Sequence, residues 1–258
     1  MNLFEILAVG SQSLLIIVST IGTALITAYI LSRIMNIERD IATLVGVGSS
    51  ICGGSAIAAA APVIKASDKD IAQSISVIFL FNVVAAFLFP ALGDMLGFTD
   101  TGFGMWAGTA INDTSSVVAA GQTWASAHGS DTALNYATIV KLTRTLAIIP
   151  ICLGLAYITS KTKNTAANVK ITSIFPMFIL YFVMAAIFNT LAGESLPVLA
   201  QLPAIGKFMI AMAMAAIGLN TNLVILVKSG GKPILLGLVC WVFIALVSIS
   251  MQHVLGIW

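Results

Sequence analysis

The 258-residue chain is 59% hydrophobic and only 9% charged, with 12 Lys and Arg against 10 Asp and Glu. Soluble domains carry about 25% charged residues. This composition cannot cover a water-facing surface, so it excludes a soluble enzyme, a nucleic-acid binder and a disordered chain.

In chain order, the first long apolar run spans 12–33 and reads as a membrane-spanning helix. The next, 41–64, is apolar but interrupted by Gly-Ser-Ser and Gly-Gly, which are poor helix interior. A spanning helix follows at 71–95, and 102–121 is a second run broken by Gly, Thr, Asn and Ser. Four more spanning helices are expected at 135–160, 171–192, 203–226 and 231–256. At 1.5 Å per residue such runs suffice for a hydrocarbon core of about 30 Å. Bare backbone at that depth is tolerated only where it is buried in protein or lines a cavity. Met1 to Gly10 lacks the basic start of a cleavable signal peptide. The three cysteines, Cys52, Cys152 and Cys240, are odd in number and lack ligand spacing, so neither disulfides nor a metal site are expected.

Lys and Arg set the sides. Arg33, Arg39, Lys65, Lys69, Lys161, Lys163, Lys170, Lys228 and Lys232 flank one set of loops, and 94–101, 122–133 and 193–202 carry none. The positive-inside rule puts the first set in the cytoplasm. Lys207 is the exception and can snorkel to the interface. Both ends of 41–64 then fall inside and both ends of 102–121 outside. Each reads as a re-entrant hairpin, with a crossing broken helix as the alternative.

Sliding the chain against itself gives a register of 60 residues. Gly48 to Ala61 lies over Gly108 to Gly121, with Gly48/Gly108, Ile51/Ile111, Ser55/Ser115, Ala59/Ala119 and Ala60/Ala120 identical, and Pro90 falls on Pro150 without a gap. A weaker match pairs 2–10 with 222–230. With the loop charges, these matches predict inverted repeats. The expected fold is an all-α polytopic membrane protein, one transporter domain over 1–258, with repeat units 41–95 and 101–155 flanked by the other helices. Secondary transporters place substrate sites where such discontinuous segments meet.

The tips supply candidate ligands. Ser49, Ser50, Gly53, Gly54 and Ser55 belong to the first tip, and Thr109, Asn112, Asp113, Thr114, Ser115 and Ser116 to the second. Lys141 and Arg144 share a face at i, i+3, about 10 and 15 Å into their helix. Charges at that depth normally face a cavity or each other. Phe81 and Val84 are their repeat counterparts, so the fold does not require the charges. Two cations against Asp113 leave a net positive cavity, suited to a small oxyanion. The alternative is a structural ion-pair cluster. The alanine run 56–61, Cys52 and the Met209–Met214 stripe read as packing, Asn82 as a lone interhelical hydrogen bond, and Asn220 and Asn222 as a helix C-cap. His128 and His253 are placed as poor catalysts, and no acid–base pair points to an enzyme.

The block from Gly46 to Ala66, with Gly108 to Gly121, Lys141 to Arg144 and Met212 to Asn220 in the same order, closely resembles the YeiH-type family of bacterial membrane proteins, described as sulfate exporters. That resemblance implies a multi-pass inner-membrane protein and sulfate or a sulfonate as the anion. Family members carry further hydrophobic segments upstream, so Met1 to Leu3 reads as the tail of one, and the chain as a short form. They also carry a His-Glu-like pair where this chain has Asn112-Asp113, which bears on any proton chemistry there. No cofactor is expected, and Na+ or H+ is the candidate coupling ion. The expected partners are the anion, the bilayer and, in a dimer, a second copy. The rival functions are a cation or proton antiporter using Asp113 and a non-transporting membrane subunit.

Overall fold

A computed structural model describes residues 3–163, 177–192, 205, 208, 209, 212 and 231–258. They include the helices α1 Leu3–Met35, α2 Arg39–Ser50, α3 Gly54–Ile64, α4 Asp68–Leu96, α5 Asp100–Ala110, α6 Thr114–His128, α7 Thr132–Thr145, α8 Ile148–Lys163, α9 Met177–Ala192 and α10 Gly231–Leu255, and among the described residues there is no strand. By length and composition, α1, α4, α7 with α8, and α10 can each cross a membrane. The protein is an all-α multi-pass membrane protein.

The short helices sit between the long ones, and local chemistry sets their ends. Ser67 caps α4 by accepting from the Asp70 N–H at 3.2 Å, and Thr99 caps α5 by accepting from the Gly102 N–H at 3.1 Å. Gly97 and Gly129 close α4 and α6 in the left-handed conformation. The two 41–64 and 102–121 runs break at Ile51–Gly53 and at Ile111–Asp113, an offset of 60 residues. At 12 and 11 residues, α2 and α3 each reach about half the depth of a hydrocarbon core.

Both broken runs turn back. In the second, Phe103 of α5 stacks on Trp124 of α6 with ring centroids 4.1 Å apart, and Trp124 Nε1 donates to Asp100 at 2.8 Å. The start of α5 therefore lies beside the end of α6, as only a hairpin allows. Both arms pack on the same half of α7. A Cβ on Gly108 would lie 2.8 Å from the Ala137 carbonyl, and one on Gly121 3.0 Å from the Leu134 Cα. In the first hairpin Ile57 of α3 packs back on Gly48 of α2. There α3 also packs on α8, and Ile151 to Ile158 of α8 share a cavity with Arg33 and Arg39.

The hairpins open toward opposite ends of the bundle. At one end Lys232 donates to the Met35 carbonyl at 3.0 Å, and at the other Thr99 donates to the Trp258 carbonyl at 2.9 Å. Apart from Lys141 and Arg144, every described Lys and Arg lies at the first end, which the positive-inside rule makes cytoplasmic.

Several boundaries differ from the sequence reading. The first helix begins at Leu3 rather than 12, because residues 4–9 continue the apolar run without a breaker and Gly10 seats against Thr143. The 135–160 helix is two helices, α7 and α8, meeting at Leu146 and Ala147. Pro150 cannot donate to the Leu146 carbonyl and its ring crowds that oxygen. Pro90 in the same register sits inside an unbroken α4. Met209 and Met212 are exposed rather than core residues. Helix 203–226 as a whole, with Asn220 and Asn222, the remainder of 171–192 before Met177, Lys170, Lys207 and Lys228 lie outside the described residues.

Candidate functional site where the two hairpin tips meet

Half-helices bring two kinds of end to a tip. The arriving helix presents unpaired carbonyls and the negative end of its dipole, and the departing helix presents N–H groups and the positive end. In hydrocarbon neither can turn to water. The two tips meet midway along α4 and beside the end of α7, and each set of ends is satisfied differently.

The carbonyl ends of α2 and α5 are held by α7. Arg144 Nε donates to the Ser50 carbonyl at 2.8 Å, and its two terminal nitrogens donate to the carbonyls of Thr109 and Ser49. Lys141 Nζ donates to the carbonyls of Ile51 at 2.7 Å and Ile111 at 3.0 Å. Both side chains are fully buried. Their i, i+3 spacing lets one face of α7 reach both tips; each cation bridges the two, the guanidinium with donors on three separate nitrogens and the ammonium from a single atom. The sequence reading aimed these cations at a small anion. Every hydrogen bond the structure gives them instead ends on main-chain oxygen.

The N–H ends lie side by side. A Cβ on Gly53, the residue before α3, would sit 3.7 Å from the Asp113 Cα, the residue before α6. Gly53 has φ +70°, which favours glycine. Asp113 Oδ2 caps α6 by accepting from the N–H groups of Ser115 at 3.0 Å and Ser116 at 3.3 Å, and from the Ser115 hydroxyl. The N-terminus of α3 has no side-chain cap. Gly54 is half-buried and Ser55 exposed beside it, and Asp113, Thr114 and Ser115 are half-buried. The N-terminal ends of α3 and α6 thus lie side by side at a partly open surface of the tips.

The remaining candidates divide. Thr109 turns its hydroxyl to Ser248 of α10 at 2.6 Å, away from the first tip. Ser50 bonds the Val47 carbonyl at 3.0 Å, and Ser55 donates to Cys52 Sγ at 2.8 Å. Ser49 Oγ and Asn112 Oδ1 are buried without a partner. Phe81 and Val84, the repeat counterparts of the two cations, do not enter the site. Phe81 stacks on Trp241, and Val84 is exposed.

Asn82 makes the interhelical hydrogen bonding expected of it, with two bonds rather than one. Its Oδ1 accepts from the backbone N–H groups of Asn112 at 3.2 Å and Asp113 at 3.1 Å, so it holds the second tip against α4. Its signal was a lone amide at the centre of a long apolar run. Ser248 and Gln252, buried on α10, were not singled out at all.

Comparison with known proteins places the chain. The profile of the family described as Conserved hypothetical protein 698 matches residues 1–237. A UPF0324 membrane protein of Streptococcus pyogenes serotype M18 is 57% identical over all of this chain and 78% of its own length. The UPF0324 membrane protein of Streptococcus mutans is 56% identical with the same coverage, and one of Fusobacterium nucleatum is 54% identical over all of this chain and 79% of its own length. No solved structure matches. The chain thus belongs to the Conserved hypothetical protein 698 family of membrane proteins, the YeiH-like family to which its Gly-Ser block pointed.

Proposed function

We propose that this protein is a secondary transporter of a small anion, sulfate-like or sulfonate-like, built as a single domain of inverted repeats. The adjacency of Gly53 and Asp113, the N-terminal ends of two half-helices, carries this reading. Discontinuous helices in transporters aim such ends at anionic groups. Here the opposing carbonyl ends are already neutralised by Lys141 and Arg144, so the tips present donors rather than acceptors. The anion would sit on the free N–H groups at Gly54 and Ser55, with Thr114 beside them. Lys141 and Arg144 act as positioning residues that hold the two tips together. Movement of one bundle against the other would expose the site alternately.

Gly54→Leu tests this directly. A side chain there enters open space, since a Cβ on Gly54 meets no atom within 4 Å. The variant is expected to keep the wild-type melting temperature and to lose uptake of labelled sulfate and methanesulfonate by proteoliposomes. Flux equal to wild type refutes the site. Repeating the assay with and without sodium and pH gradients, and with Asp113→Asn, addresses the rival reading. Cation or proton antiport requires flux that needs no anion and disappears with the carboxylate.

A further inference from the structure

A second opening lies apart from the tips, between α1, α2 and α8. It is a cavity of ≈ 810 Å³. Ala28, Ala42, Gly46 and Val47 form a buried floor, and Leu25 and Leu155 are among its apolar walls. Arg33 and Arg39 line it and are exposed. The Arg33 guanidinium lies over the Tyr29 ring, 5.4 Å from its centroid. Neither arginine forms an ion pair among the described residues, although Glu38 and Asp40 flank Arg39 in sequence. The cavity lies at the Lys- and Arg-rich end, where Met35 accepts from Lys232.

A free inorganic anion would leave the apolar wall wet, and a bare hydrocarbon chain would leave two guanidiniums without a counterion. An amphiphile with one negative headgroup matches both. We propose that this cavity holds an anionic phospholipid of the cytoplasmic leaflet. Its phosphate lies between Arg33 and Arg39, and one acyl chain runs along Leu25 and Leu155. Guanidinium suits phosphate because its fork bonds two oxygens at once, and basic groups at this leaflet attract anionic lipid.

The test uses the full chain, purified and titrated with short-chain phosphatidylglycerol or phosphatidylcholine under native mass spectrometry. Phosphatidylglycerol is expected to bind about ten-fold more tightly. The double variant Arg33→Gln/Arg39→Gln is expected to lose that preference at an unchanged melting temperature. Gly154 lines the cavity and a Cβ there meets no atom within 4 Å, so Gly154→Trp introduces a bulky side chain at the cavity wall. It is expected to block phosphatidylglycerol with both arginines in place. Equal binding of the two lipids overturns the proposal, as does a preference that survives in the double variant. Undiminished binding in Gly154→Trp also overturns it, by leaving the cavity to another occupant such as a further segment of the chain. Competition by glycerol phosphate as strong as by the lipid would show a free-anion site instead.

Discussion

Arg144→Ala is the most informative perturbation of the hairpin junction. It leaves three buried carbonyls, those of Ser49, Ser50 and Thr109, without their donor. Hydrogen bonds within membrane bundles average about 0.6 kcal/mol each, and an orphaned buried acceptor costs about 1–3 kcal/mol. Three such groups together give a loss of about 2–9 kcal/mol. For a chain of this size each kcal/mol lowers the melting temperature by about 2–4 °C. The variant should therefore melt at least several degrees below wild type in detergent. Arg144→Lys keeps the charge but concentrates its donors on one atom, and should recover less than half of the loss. Hydrogen exchange supplies the second readout. Because one guanidinium joins both tips, amides around 47–54 and 107–114 should exchange faster together. Wild-type melting and unchanged exchange at both tips would refute the reasoning, and so would a change confined to one tip.

Two other substitutions probe packing and the α4 contact. Gly108→Ala places a Cβ 2.8 Å from the Ala137 carbonyl and should destabilise by about 1–3 kcal/mol. Gly154→Ala, in open space, should leave thermal unfolding unchanged. Asn82→Leu orphans the N–H groups of Asn112 and Asp113 and should lower stability by about 2 kcal/mol or more. Its faster hydrogen exchange should centre on the second tip.

The interruptions were legible because Gly, Ser and Asn are unfavourable inside an apolar helix, and the 60-residue register put both breaks at equivalent places. The hairpin reading of the first run followed from Arg39 and Lys65 at its two ends, and that of the second from loops without Lys or Arg; for the second, Phe103 stacks on Trp124 across its two arms. The orientation of Lys141 and Arg144 was not legible. Periodicity shows that they share a face, but not that the face meets the carbonyl ends of α2 and α5. The physical signal was available in general form, since every half-helix ending inside a membrane needs donors for its last carbonyls. For Asn82 the interhelical hydrogen-bonding role was legible, but the sequence places it at mid-depth without revealing which backbone it meets. Pro90 and Pro150 show the limit of the repeat itself. They share a register, yet α4 runs unbroken through Pro90 while α7 and α8 meet just before Pro150.

Whether the two tips can meet depends on which side of the membrane each end of the first hairpin lies. Single cysteines at Glu38 and Ala66, in a background free of Cys52, Cys152 and Cys240, can be probed with a membrane-impermeant maleimide in right-side-out and inverted vesicles. Positions 38 and 66 should both label only from the cytoplasmic side, and cysteines at Phe98 and Ser130 only from the outside. Labelling of 38 and 66 from opposite sides would mean that α2 and α3 cross the bilayer as one broken helix. The two tips could not then meet from opposite faces.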